Sequence, residues 1–206
     1  MLHPAGPASQ AIADVWWIML AGGVAIFGLV MVLLIAALYR PADPSVRSDD
    51  EHGTRIWMWG LGLGFPMVTL AALTGYGLVI GEKLLPRTAS DLVTVQAEAR
   101  QWAWTFRYGG APVPATEGVL HIPAGRPVNV EITSTDVIHS FWVPRLAGKL
   151  DAIHGHVNVL RIEAAHTGVY EGQSAEFSGS GYREHVFSVK AHDAASWAKF
   201  LLEGKP

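Results

Sequence analysis

The chain opens on two long apolar runs and then changes character. From Val15 to Tyr39 ("VWWIMLAGGVAIFGLVMVLLIAALY") no residue is charged. At about 1.5 Å per residue this run is long enough to cross a hydrocarbon core of roughly 30 Å, and it predicts a transmembrane helix over 15–39. A cleavable signal peptide is the competing reading. Against it, residues 1–14 hold no Lys or Arg, and the run far exceeds the roughly 7–15 residues of a signal core. Ile56 to Ile80 is also uncharged and predicts a second span over 56–80, although it contains Gly60, Gly62, Gly64, Gly75, Gly77 and Pro66. Such residues break helices in water but are tolerated in membrane bundles, where they let helices approach closely. Trp16, Trp17, Trp57, Trp59 and Tyr39 fall near the ends of the two runs, as an interfacial aromatic belt requires.

Past a linker at 81–91 the pattern shortens. Segments at 92–97, 102–108, 119–122, 128–133, 137–143, 157–162, 168–172 and 185–190 are β-prone and separated by turn residues. "VNVEIT" puts Val128, Val130 and Ile132 on one face and polar residues on the other, the signature of a half-buried strand. Many short strands at close spacing predict an all-β sandwich or Greek-key barrel over 92–192. The tail at 193–206 carries apolar residues at helical spacing and predicts a terminal helix. The chain is therefore expected to be a two-helix membrane hairpin followed by one β domain.

Charge and composition narrow the function. A formal net charge of −3 over 206 residues gives no electrostatic footprint for nucleic acid. The absence of cysteine excludes disulfides, thiolate metal sites and cysteine nucleophiles. Arg40, Arg47 and Arg55 lie in the segment 40–55, while residues 1–14 hold no basic residue. The positive-inside rule then makes 40–55 a cytoplasmic loop and puts the N-terminal tail and the β domain outside, on the periplasmic face in a bacterium.

Nine histidines raise the question of a metal. His3, His52 and His192 lie in tails or junctions and are expected to be solvated, and His121 and His166 flank strands without a visible partner. "IHGH" sets His154 and His156 on one face of a strand, either as a metal pair or as a polar domain edge. "DVIHSFWVPRLAGKLD" begins an aromatic strand with His139, which is either a ligand or a buried, backbone-satisfied histidine. "QWAWTFRY" aligns Trp102, Trp104 and Phe106 on one face, where core packing competes with an electron path. Finally, "EGQSAEFSGSGYREH" (171–185) has the layout of a late metal-binding loop with serines where soft ligands would stand; hydroxyls stay protonated and hard at neutral pH.

Two N-terminal spans followed by an external domain containing "QWAW", "VIHSFWVPRLAGKLDAI" and "GVYEGQSAEFSGSGY" resemble, over essentially the whole chain, subunit II of the haem–copper terminal oxidases. The resemblance implies a cupredoxin-like β domain. In copper-bearing members the loop reads Cys-x-Glu-x-Cys-Gly-x-x-His-x-x-Met and, with an upstream histidine, holds the dinuclear centre CuA. Laid on this chain, the upstream histidine is His139 and the glutamate is Glu176. The two cysteine positions are Ser174 and Ser178, the loop histidine is Tyr182, and the methionine is His185. With both bridging thiolates missing, no CuA centre is expected.

That pattern is similar to the quinol-oxidising branch, which implies a non-copper subunit that docks on and caps the catalytic subunit I. Oxygen reduction, proton pumping, the haems and CuB would belong to subunit I, and no residue here would be catalytic or hold a cofactor firmly. Glu176 is also the position whose carboxylate, in cytochrome c oxidases, helps to bind magnesium at the contact with subunit I, and a hard oxygen suits that ion. Trp102 stands where electrons enter in the family and is a possible relic of that route. The family's proton-channel glutamate has no clear counterpart; Glu51 is nearest, at the wrong offset from Pro66. Two other readings remain. One is a cytochrome c oxidase that bypasses CuA through a haem c subunit. The other is a membrane-anchored copper-binding protein using His139, His185 and His154 or His156.

Overall fold

The computed structural model describes residues 3–40, 53, 55–85 and 92–204. Most of the expected cytoplasmic loop and part of the linker, with Arg47, Glu51 and His52, lie outside the described residues. Contacts divide the chain into two units, Val15–Lys83 and a β unit made of Met1–Asp14 with Leu84–Pro206. Two helices, Pro7–Tyr39 and Ile56–Glu82, are long and apolar enough to cross a membrane.

Helix α1 spans Pro7–Tyr39 and so begins well before the expected span. Pro7 occupies the first helical position, where its missing N–H costs nothing, and the alanines that follow are the best helix formers. Within the segment expected as an external tail, the second half is helical and the first half is bonded to the β unit. The Ala5 N–H donates to Arg145 O and the Ala165 N–H donates to Ala5 O, both at 2.8 Å, while Ser9 Oγ donates to Arg145 O at 2.6 Å. Gly6 fits because a Cβ there would overlap the Glu163 carbonyl. Gly6→Ala is expected to cost about 1–3 kcal/mol, the usual range for overpacking, and to raise hydrogen exchange at Ala5 and Ala165. Unchanged exchange would show that the docking has no such tight fit.

The second apolar helix starts in a wide π register over Ile56–Gly64 and continues as α2, Phe65–Leu84. Pro66 explains the change: its ring would strike the carbonyl four residues back in a regular α-helix. Instead, the Phe65 N–H reaches back five residues to Gly60 O. At Gly62 and Gly64 an added Cβ would crowd the carbonyls of Trp57 and Trp59 at 3.3 and 3.1 Å, so glycine suits the wide turns.

The β unit is a sandwich of two five-stranded sheets among the described residues. Its strands are β1 Val93–Arg100, β2 Ala103–Tyr108, β3 Thr116–Glu117, β4 Val119–Pro123, β5 Val128–Ser134, β6 His139–Trp142, β7 Lys149–Ala152, β8 Asn158–Ile162, β9 Gly168–Ser174 and β10 Val186–His192, followed by helix α3 at Ala194–Glu203. The sheet orders are β3-β2-β1-β5-β8 and β4-β10-β9-β6-β7, with β1–β5 and β4–β10 parallel. Val128, Val130 and Ile132 are all buried between the sheets, as their alternation predicts. Trp104 and Phe106 join them, but Trp102 does not: β2 begins only at Ala103, and Trp102 remains in the preceding turn, 42% exposed. β6 is shorter than expected because Ser134 Oγ donates to Val137 O at 2.5 Å and accepts from the Asp136 N–H at 3.2 Å. That turn takes Val137 and Ile138 out of the ladder. The Asp193 carboxylate caps α3 by accepting from the Ala195 and Ser196 N–H groups.

Candidate functional site at the end of the sandwich

Strands β6 and β9 pair through Phe141 and Ser174, which puts His139 and the β9–β10 loop at the same end of the sandwich. The loop is closed at its base, where the Ser174 N–H donates to His185 O at 2.9 Å. Inside it, Ser178 Oγ donates to Ile138 O at 2.8 Å, and Gln101 Nε2 donates to Ser178 O at 2.5 Å. The β1–β2 turn and the approach to β6 are thereby tied to the same loop. Gly179 and Gly181, at φ of 116° and 97°, carry the chain beneath the Trp102 ring in conformations that a side chain would strain.

At the centre, His139 is fully buried and its Nε2 donates to Asp136 Oδ1 at 2.8 Å. Asp136 also accepts from the Gln101 N–H at 2.8 Å and from Ser134 Oγ at 3.1 Å. Burial opposes ionisation of that carboxyl, but these bonds outweigh it and hold Asp136 below the ordinary carboxylate range. An ionised acceptor on Nε2 holds an imidazole proton at that nitrogen. Nδ1 has no hydrogen-bond partner.

His185, 1% exposed, lies opposite, its ring centroid 5.0 Å from that of His139 and the ring planes at 77°. Neither of its nitrogens closes a hydrogen bond of good geometry, although the Ala103 backbone approaches. Burial first, and His139 second, push its pKa below the ordinary imidazole value, against the Ala103 backbone and the Asp136 charge. Trp104 stacks on His185 at 5.6 Å, and Trp102 presents its face or edge at 5.9 Å to His185 and 6.5 Å to His139.

Of the loop positions singled out in the sequence, the fold brings His139, Ser174, Ser178, His185 and Trp102 together. It leaves Glu176 and Tyr182 on the outside. Glu176 is half-buried, with Oε1 accepting from the Phe177 N–H at 2.9 Å. The Tyr182 ring packs at 5.4 Å on Phe177, which is itself 72% exposed. Asp136 and Gln101 are the site residues that the sequence does not single out, while Trp104 joins the site from the aromatic face of "QWAWTFRY". The Asp-x-x-His spacing of Asp136 and His139 across a turn was the one available signal.

Of the remaining histidines, His3, His154, His156 and His166 are exposed, as a solvated tail and a polar domain edge predict, whereas His121 and His192 depart from expectation. His154 and His156 share no strand face: His154 Nδ1 donates to Ser134 O at 3.2 Å, and His156 Nε2 lies 3.1 Å from Asn158 Oδ1. Among the described residues no three His, Asp or Glu side chains are grouped to hold a metal. His121 and His192, expected to be unpartnered and solvated respectively, form a buried pair, Nδ1 to Nε2 at 2.8 Å, on adjacent parallel strands. Phe200 of α3 stacks on His121 at 4.3 Å, and Tyr108 Oη accepts from the His121 N–H at 2.9 Å. Burial, then His192 and Lys190, push the His121 pKa down to about 4.

Comparison with known proteins adds the lineage. The family model of the cytochrome c oxidase subunit II periplasmic domain matches residues 113–191. Quinol oxidase subunit 2 of Bacillus cereus is 28% identical over 211 residues, covering 98% of this chain and 72% of that one. Cytochrome c oxidase subunit 2 of Alkalihalophilus pseudofirmus is 31% identical over 200 residues, covering 92% of this chain and 57% of that one. In fold, the chain is similar to the periplasmic domain of subunit II of cytochrome oxidase of Bradyrhizobium japonicum, with a TM-score of 0.53 at 23% identity over 57% of this chain and 94% of that one. The β unit is thus a cupredoxin-like sandwich, and the chain is similar to oxidase subunit II proteins over most of its length.

Proposed function

We propose that this chain is the CuA-less subunit II of a quinol:oxygen oxidoreductase. It is anchored in the bacterial cell membrane by its two apolar helices, with the β unit on the periplasmic side, and it docks on and caps the catalytic subunit I. The carrying observation is the state of the two serines. Ser178 Oγ is spent on the Ile138 carbonyl and Ser174 Oγ lies 3.4 Å from the Ser140 N–H that donates to it. Neither can supply a bridging anionic sulfur, and Tyr182 is turned away against Phe177. A dinuclear copper centre does not fit these side chains. The relative from Bacillus cereus named as a quinol oxidase subunit supports the donor assignment.

The purified complex is expected to consume oxygen with ubiquinol and to fail with reduced cytochrome c. Activity with cytochrome c alone would overturn the quinol reading. It would favour the second reading, a CuA-less cytochrome c oxidase fed by a haem c subunit. The observation on that side is Trp102, 42% exposed above the two histidines on the outer surface.

Glu176 keeps one further role in this proposal. Its carboxylate is only partly engaged, and no second or third acidic ligand joins it among the described residues. It fits a single oxygen ligand to magnesium, the rest of the shell coming from subunit I and water. Glu176→Gln is expected to lower the magnesium content of the purified complex several-fold, as metal analysis would show, with little effect on folding of this half-exposed site. Unchanged content would remove Glu176 from the shell.

A further inference from the structure

Helix α3 docks on the sandwich through rings. Among the described residues no hydrogen bond joins Ala194–Glu203 to a strand, and the buried face is Trp197 and Phe200. Phe200 lies nearly parallel over His121 at 4.3 Å and His192 at 5.8 Å and meets Tyr108 edge-on at 5.0 Å. Trp197 tilts against His192 at 6.3 Å. The floor under the helix is therefore the buried imidazole pair, which shares one hydrogen bond between His121 Nδ1 and His192 Nε2 at 2.8 Å. That bond needs one donor and one acceptor. One added proton puts a cation beneath the helix, away from water. A second sets two N–H groups against each other, and the pair has to part.

The charges around the pair do not compensate. On β10, Lys190 repels a proton from both rings, and the adjoining Asp193 attracts one to His192. The Asp193 carboxylate is already engaged by the Ala195 and Ser196 N–H groups and by Ser196 Oγ. β4 has no charged residue beside His121. β2 contributes Tyr108, whose hydroxyl accepts from the His121 N–H and contacts Thr116 Oγ1. On α3 itself, Lys199 and Glu203 are exposed and face each other at 3.9 Å, and Arg126 lines the cleft beside Tyr108 and Trp197. With burial as the main cause, both imidazoles stay below the ordinary value.

We propose that helix α3 is an acid-released latch, detached from an otherwise folded sandwich by protons taken up at the His121–His192 pair. Ten residues are too few for a stable isolated helix in water, so α3 melts as it leaves. The floor stays in place, because β10 remains laddered to β4 and β9. Release bares Tyr108, His121 and His192 on the β unit. Neither the electron donor nor docking on subunit I enters, so failure here leaves the quinol assignment intact.

The test is hydrogen exchange of the full chain in detergent, followed by mass spectrometry from about pH 7 to about pH 4 and corrected for the intrinsic rate at each pH. Protection over Ala194–Glu203 is expected to fall by about tenfold per pH unit for each proton taken up, and to vanish while β5 is still protected. The double variant His121→Phe, His192→Leu should hold α3 protection level across the range. Lys190→Gln removes a repelling charge and should move the loss to higher pH. Loss of protection in α3 and β5 together, or a level α3 in wild type, overturns the proposal, as does an unchanged loss in the double variant. Should the double variant not fold, an unmoved loss in Lys190→Gln overturns it.

Discussion

Trp104→Ala is expected to destabilise the β unit by about 3–5 kcal/mol, the range for removing a fully buried large aromatic. That is a large share of the roughly 5–15 kcal/mol that holds an ordinary domain together. Trp104 is fully buried and stands at the junction of the two sheets. It is parallel to Phe106 at 6.4 Å, edge-on to Phe141 at 5.5 Å, tilted against Phe187 at 5.4 Å and stacked on His185 at 5.6 Å. A cavity there would touch both sheets and the end site together, and the neighbouring rings leave little freedom to collapse into it. Chemical denaturation of the full chain in detergent, followed by near-UV circular dichroism, reads the loss as a lower midpoint. The contrast is Trp102→Ala, two residues away and 42% exposed, for which the loss should stay near 1 kcal/mol. Equal losses would mean that the core does not end at β2 as described.

The second large effect concerns pH. His121 has its pKa pushed down to about 4, and His192 and His185 are also held below the ordinary imidazole value, in each case chiefly by burial. A histidine whose pKa is lower folded than unfolded binds its proton more readily in the unfolded chain. Stability from keeping it neutral is therefore complete above about 6.5 and drains away as the pH falls towards the folded value. For His121 the window runs from about 6.5 down to about 4. Each such group contributes a slope of at most about 1.4 kcal/mol per pH unit, so the denaturation midpoint should fall steeply between pH 6.5 and 4.5. Asp136 is depressed below 3.8 and loses its contribution only at more acid pH, outside that window. Replacing His121 and His192 together by Phe and Leu should flatten most of the slope. A midpoint that is level across the window in wild type would show that the pair does not titrate as burial requires.

The elements that could be read from the sequence are those whose signal is local. The two apolar runs, the alternation of "VNVEIT" and the helical spacing of the tail each declare their structure within a few residues. β3 and β7 were missed because two to four residues carry no period, and β7 has charged Lys149 and Asp151 at its ends and centre. The loop pattern groups His139, Ser174, Ser178 and His185 because a motif preserves spacing, and the fold brings these residues to one end of the sandwich. It gave no indication that Tyr182 would turn outward. That depends on Phe177 and on the short 3₁₀ turn at Tyr182–Glu184. The His121–His192 pair was invisible for a different reason: its members meet only because β4 and β10 lie parallel and adjacent, a long-range pairing that neither segment announces.

The hydrogen bonds that join Ala5 and Ser9 to Arg145, and Ala165 to Ala5, have a topological consequence. Residues that share hydrogen bonds lie on one side of any membrane the chain crosses, so the number of crossings between residue 9 and residue 145 must be even. Two helices satisfy that parity and one does not. The apolar segment is in effect an insertion within a β domain whose first piece is made before the insertion and whose remainder is made after it. During biosynthesis the N-terminal residues have to wait until the segment carrying Arg145 and Ala165 arrives to receive them.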